Sequence, residues 1–185
     1  MRRLLLAVIL LLSGAATGQA AEWDVIPEAS RILWTAKWNT APVQGGFQRF
    51  SAEIDFDPAD LAHAHVRVAV DVASIYMEDQ DARSTLTNRN WFDAEHYRRA
   101  IFETRAIRDL GNGHYEALAD LTIRGVTVSV TLPFKLTIED DIARMEGSLT
   151  LDRTVFGIGA SGDFAAAVAP EVDVAVMVTA RRKAA

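Results

Sequence analysis

The chain has 185 residues, no cysteine, and 25 acidic against 19 basic side chains, a net charge of −6. Without thiols there is no disulfide, no thiolate metal site, no thiol nucleophile and no C-x-x-C-H haem attachment. The acidic balance argues against nucleic acid and anionic membrane as electrostatic partners.

At the N-terminus, Arg2 and Arg3 precede an apolar run from Leu4 to Leu12, and Gly18-Gln19-Ala20 fits a small-x-small cleavage site. Nine residues are too few for a membrane-spanning helix, which needs roughly 20. Residues 1–20 therefore read as a signal peptide cleaved near Ala20, with an uncleaved anchor as the alternative. Residues 21–185 read as one exported, periplasmic domain. Loss of Arg2 and Arg3 leaves 17 basic residues against 25 acidic, a net charge of −8.

From Ile32 onward an apolar residue recurs at every second position, which puts those side chains on one face of a strand. Eight strands are expected. The inward faces are Ile32, Trp34, Ala36, Trp38; then Phe50, Ala52, Ile54, Phe56, ending at Asp57-Pro58; then Ala64, Val66, Val68, Val70, Val72. A fourth carries Ala100, Phe102, Thr104, Ala106 and ends at Leu110-Gly111-Asn112-Gly113, a hairpin signal. Its partner carries Tyr115, Ala117, Ala119, Leu121, Ile123. Arg124-Gly125 turns into a sixth strand from Val126 to Ile138, in which Pro133 cannot donate to a ladder and predicts a bulge or local opening. The acidic turn Glu139-Asp140-Asp141 leads to Ala143, Met145, Gly147, Leu149, Leu151, and the last strand runs from Val172 to Ala180.

Two insertions interrupt this rhythm. Glu78–Leu86 and Trp91–Tyr97 read as one or two short helices, with Trp91 and Phe92 plugging one end. Arg153–Pro170 is a long loop rich in Gly and Ala, a length often tied to function.

Eight half-apolar strands hide their inner face without edges by closing into a barrel. A barrel of that size is either filled by side chains or holds one small ligand. The inward set mixes aromatics with many small residues, Ala36, Ala52, Ala117, Ala119 and Gly147 among them. Close packing demands that small residues meet large ones or leave room, so a complementary packed interior and an apolar cavity both remain open on the pattern alone.

Polar chemistry is thin. His63 and His65 have metal-ligand spacing with Asp60 nearby, but they lie on the outward face and no third ligand is fixed. His96 and His114 are isolated, and Ser74 and Ser161 lack a glycine-framed nucleophile elbow. No metal and no cofactor are expected. Arg124 and Arg153 sit at a turn or strand end, where an arginine fork braces carbonyls or a carboxylate such as Asp152; the alternative is contact with a ligand head group.

Short motifs then carry a resemblance. Trp23-Asp24-Val25, Ser30-Arg31-Ile32-Leu33-Trp34, Gly45-Gly46-Phe47, Ile54-Asp55-Phe56-Asp57-Pro58, Val70-Asp71-Val72-Ala73-Ser74-Ile75 and Trp91-Phe92-Asp93 through Ile101-Phe102 are similar to successive blocks of the YceI-like family of exported lipid-binding proteins. Most specific are Leu121-Thr122-Ile123-Arg124-Gly125-Val126-Thr127 and Asp152-Arg153-Thr154-Val155-Phe156-Gly157-Ile158-Gly159. Arg98 stands where the family has proline and Ala119 where glycine is common. The resemblance covers essentially all of residues 21–185. It implies an all-β, eight-stranded antiparallel, lipocalin-like barrel with a short helical insertion, whose apolar bore holds an isoprenoid or another fatty-chain lipid. It favours the cavity over the packed interior.

The bore residues expected on that basis are Trp34, Ala36, Trp38, Phe50, Ile54, Val68, Val70, Phe102, Ala117, Ala119, Leu121, Val128, Val130, Leu149, Val174 and Val176, with Arg124 and Arg153 as head-group contacts. The expected role is binding or carriage with no catalytic residue and with transient membrane contact. A structural or stress-related barrel and an enzyme acting on a lipid or oxidant are the alternatives. Oligomeric state stays open, a homodimer included.

Overall fold

The computed structural model describes residues 21–162 and 164–184; the expected leader, residues 1–20, lies outside the described residues. Eleven strands share one antiparallel sheet: β1 (Glu22–Val25), β2 (Arg31–Trp38), β3 (Ala41–Phe47), β4 (Phe50–Asp55), β5 (His65–Asp71), β6 (Ile75–Met77), β7 (Arg99–Gly111), β8 (His114–Ile123), β9 (Val126–Glu139), β10 (Ile142–Asp152) and β11 (Glu171–Arg182). One helix, α1 (Gln80–Thr87), lies between β6 and β7.

The eleven segments make eight staves. β11 pairs with β1 through Ala180–Arg182 and with β2 through Asp173–Met177, so β1 and β2 are one stave broken in the middle. On its other side β1 pairs with β4 and β2 with β3, and then β4 with β5 and β3 with β6. Hence β3/β4 and β5/β6 are the second and third staves, both interrupted. β7 to β11 follow as a meander, and β11 meeting β1/β2 closes the barrel. Closure pairs most of the strand edges that an open sheet would leave exposed.

Two buried serines hold the breaks. Pro27 opens a 3-10 turn between β1 and β2; the Ser30 hydroxyl donates to Ile26 O at 2.8 Å and accepts from Thr179 N–H at 3.1 Å, tying the break to β11. The Ser74 hydroxyl accepts from Arg49 N–H at 3.0 Å and donates to Asp71 O at 2.6 Å, so one side chain joins the breaks of two adjacent staves. Each satisfies backbone groups that an interrupted ladder would leave unpaired.

The eight expected strands are the eight staves, but β1, β3 and β6 escaped the pattern. β1 and β6 are too short to show a period, and β3 carries Pro42 and Gly45-Gly46 in place of alternation. The first expected helix is α1, capped by the Asp79 carboxylate; the second, Trp91–Tyr97, is a chain of turns in which Asp93 has φ +49°. In β7 the register shifts between Thr104 and Ala106. That bulge corrects the expected inward face: Ala106 is exposed and Ile107 is buried in its place. Thr104 stabilises the bulge by accepting Val66 N–H on its hydroxyl at 2.8 Å. Pro133 causes no bulge, since β8 and β9 stay in register through Glu116↔Pro133; the opening is on its other side, where the β9–β10 ladder stops at Phe134↔Gly147.

Large side chains gather at the two ends. Trp23, Phe56, Ile107, Tyr115, Leu132 and Ala180 close the lower end. Trp91, Ile123, Phe156 and Ile158 pack near the upper end.

Candidate functional site

Between these clusters runs a cavity of about 740 Å³, lined from Trp23 and Phe56 below to Trp38, Leu86 and Val168 above. Five successive inward positions of β11, from Val172 to Ala180, line it. At about 3.3 Å per residue that is roughly 26 Å of strand. The site is therefore long as well as apolar, and its volume is that of an ordinary ligand pocket.

Thirteen of the sixteen expected bore residues line the cavity: Trp34, Ala36, Trp38, Phe50, Ile54, Val68, Val70, Phe102, Ala117, Leu121, Leu149, Val174 and Val176. Three do not. Ala119 keeps the inward parity of β8 but is completely buried beside the β7 bulge, and its methyl group does not reach the space. Val128 and Val130 lie where β9 has parted from β10; they border a separate cleft, and Val128 packs against the upper cluster instead. The sequence expectation missed Trp23, Ile75, Met77, Trp91, Phe156 and Val168, which also line the cavity. Trp91, Phe156 and Val168 come from loops, where no period reports the facing.

Small residues keep the bore open in particular places. A Cβ on Gly45 would fall 2.2 Å from Tyr76 O and 2.3 Å from the Trp34 ring, so the indole lies flat against bare backbone. Its Nε1 has no hydrogen-bond partner among the described residues.

Charge is nearly absent from the wall. Among the lining residues only Asp79, Asp81 and Arg153 are charged. Asp79 accepts the N–H groups of Asp81 and Ala82 as the cap of α1. Arg153 is only 5% exposed, and its five N–H groups meet five carbonyls: Ala169, Ile158, Gly159, Ala165 and Val168, at 2.6–3.0 Å. Burial pushes its pKa below the ordinary arginine value, opposed by the nearby Asp152. The Trp91 ring lies 5.3 Å from its guanidinium. With every donor engaged, none is left for a head group.

Arg124 does not line the cavity. Its Nη1 donates to Gly157 O and its Nη2 to Arg89 O, which ties the β8–β9 turn to two loops. Both arginines brace carbonyls, Arg153 with every donor and Arg124 with its two Nη groups, its buried Nε having no partner among the described residues. What Arg153 holds is the 153–170 loop, which carries the upper rim. There Asn39 N–H donates to Ala167 O, Trp38 bridges Val168, and the Trp38 and Phe164 rings lie 5.3 Å apart. Side chains of α1, Ala82, Thr85 and Leu86, face the cavity from the same end.

The histidines stay on the outer wall. His63 pairs with Asp60 at 2.8 Å and His65 with Glu103 at 3.2 Å, both exposed. His96 pairs with Asp93 at 2.8 Å; that hydrogen bond and the carboxylate charge raise its pKa above 6.5.

Comparison with known proteins places this geometry. The family model described as YceI-like domain matches residues 23–180. Two curated relatives, UPF0312 proteins of Vibrio parahaemolyticus and Vibrio cholerae, are each 31% identical over 90 residues, 49% of this chain. The match spans about half of their length, 48%. The crystal structure of Burkholderia cenocepacia BcnA is similar, with TM-score 0.80 and 30% identity over 84% of this chain and 99% of that one. A polyisoprenoid binding domain from Saccharophagus degradans, implicated in plant cell wall breakdown, has the same fold at TM-score 0.69 and 13% identity, over 89% and 99% of the two chains.

Proposed function

Because the chain belongs to the YceI-like family, we propose that it binds an isoprenoid or another long-chain lipid in its bore and carries it without chemical change. The observation that carries this is the long cavity whose one interior cation has every donor engaged. Such a wall attracts a chain by removing it from water, at about 0.8 kcal/mol per buried methylene. The S. degradans neighbour, a polyisoprenoid binding domain, supports the same class of ligand.

The placement of the polar groups supports capture in place of catalysis. His63 and His65 are on the outer wall, and Thr85 and Thr104 are the uncharged hydroxyl residues that line the cavity. A cavity of this size also weighs against the structural-barrel alternative, whose interior would be packed. The Arg2-Arg3 and Leu4–Leu12 leader supports a periplasmic site of action, where a lipid released from one membrane needs shelter to reach another.

The test is native mass spectrometry of protein taken from its own exported fraction without detergent, followed by organic extraction. A defined adduct that extracts as a lipid is the expected result. A bare polypeptide mass that regains nothing from a membrane extract would overturn the proposal.

A further inference from the structure

The wall of the barrel is incomplete where β9 and β10 part. β9 and β10 are joined by the two-residue turn Asp140-Asp141, and their ladder runs from Glu139↔Ile142 to Phe134↔Gly147. It stops there although both strands continue, β9 back to Val126 and β10 on to Asp152. Each remains paired on its far side, β9 with β8 and β10 with β11. In a two-residue hairpin the residues flanking the turn exchange hydrogen bonds, and so does every second pair beyond. By that count the next bonded pair is Pro133 with Ser148, and proline has no N–H to give.

The parted strands enclose a cleft of about 670 Å³. Val128, Val130, Leu149, Leu151, Val155 and Phe156 give it an apolar side, while serines, threonines and the carboxylates of Asp152 and Asp173 line the rest. Three of these, Leu149, Leu151 and Phe156, also line the bore. Phe156 is 2% exposed and ends a 3-10 turn, Arg153–Phe156, which is followed by Gly157 with φ +70°. Val155 on the same turn is 51% exposed at the outer lip, and Val126 is exposed at the start of β9.

Resting on the lipid-binding reading, we propose that the β9–β10 slit is a lateral portal through which the lipid chain enters and leaves the bore, with Phe156 as its gate. Rotation of one ring on a short turn would join the two spaces, which already share Leu149, Leu151 and Phe156. Val155, exposed at the outer lip, offers the chain its first apolar contact.

The test follows release of cis-parinaric acid from the loaded protein into phosphatidylcholine vesicles by stopped flow. Pro133→Thr restores the missing donor, extends the ladder and slows release about tenfold with affinity unchanged. Phe156→Leu shrinks the gate and speeds release several-fold. Wild-type release rates in both variants would overturn the portal. Hydrogen exchange checks the slit without any ligand: the amides of Ser129 and Thr131 exchange fast in the wild type and become protected in Pro133→Thr, and protection already present in the wild type would also overturn it. A wild-type protein that binds neither the probe nor any extracted lipid refutes the binding reading and the portal with it, even where fast exchange at Ser129 and Thr131 shows the slit to be open.

Discussion

Arg153 shows how a residue at a functional-looking position is consumed by structure. Five carbonyls, two of them in fully buried bonds, depend on one guanidinium, and a buried acceptor that loses its partner costs about 1–3 kcal/mol. Arg153→Met is expected to destabilise the fold by about 3 kcal/mol or more, read by urea denaturation. Arg153→Lys, with three donors and no planar fork, should recover only part of that loss. His96 offers a second check at this scale. Its raised pKa means that the Asp93 contact stabilises the fold fully below pH 6.5 and that this contribution is lost as pH rises through the raised value. NMR titration should show the His96 imidazole titrating above its ordinary value, and Asp93→Asn should bring it back down.

Among the elements, the interrupted staves matter most. β2, β3 and β6 pair in that order, and at Gly45 no room is left for a side chain between Tyr76 O and the Trp34 ring. Gly45→Ala drives a methyl group into Tyr76 O and the Trp34 ring. Overpacking of this kind typically costs about 1–3 kcal/mol. The expected outcome is a lower melting temperature together with a shifted Trp fluorescence, since Trp34 must leave its seat. A folded variant with unaltered emission would show that the sheet yields in place of the indole. The period of the sequence located one segment of each broken stave, because β1 and β6 are too short to show a period and β3, with Pro42 and Gly45-Gly46, does not alternate. It misjudged Ala106 for a related reason: a bulge adds one residue, reverses every facing beyond it, and leaves no mark in composition.

For the whole molecule, the decisive property is unfilled space. Ala117 lines the lower bore beside Tyr115, Ile107 and Leu132. Ala117→Phe would put a ring into that space, so delipidated protein is expected to melt at the same temperature or higher while lipid loading falls sharply. A packed interior gives the opposite pair, a lower melting temperature and no change in adduct. Calorimetry and native mass spectrometry on the same sample separate the two.

Fold class, the number of staves and most of the inward faces were legible in the order of the amino acids, because strand periodicity is local and each residue reports its own facing. The family was legible too, through short motifs whose glycines and arginines answer to turns and braces: Arg124-Gly125, for example, has positive φ at both positions. Whether the small inward residues meet large neighbours or leave a bore emerged only in three dimensions, since it depends on what faces Ala36 and Ala117 across the barrel. The commitment of every Arg153 donor to a loop 5 to 16 residues away is likewise a product of the folded chain. So is the parted wall at Pro133, because a missing N–H matters only once the strand that would have received it is known.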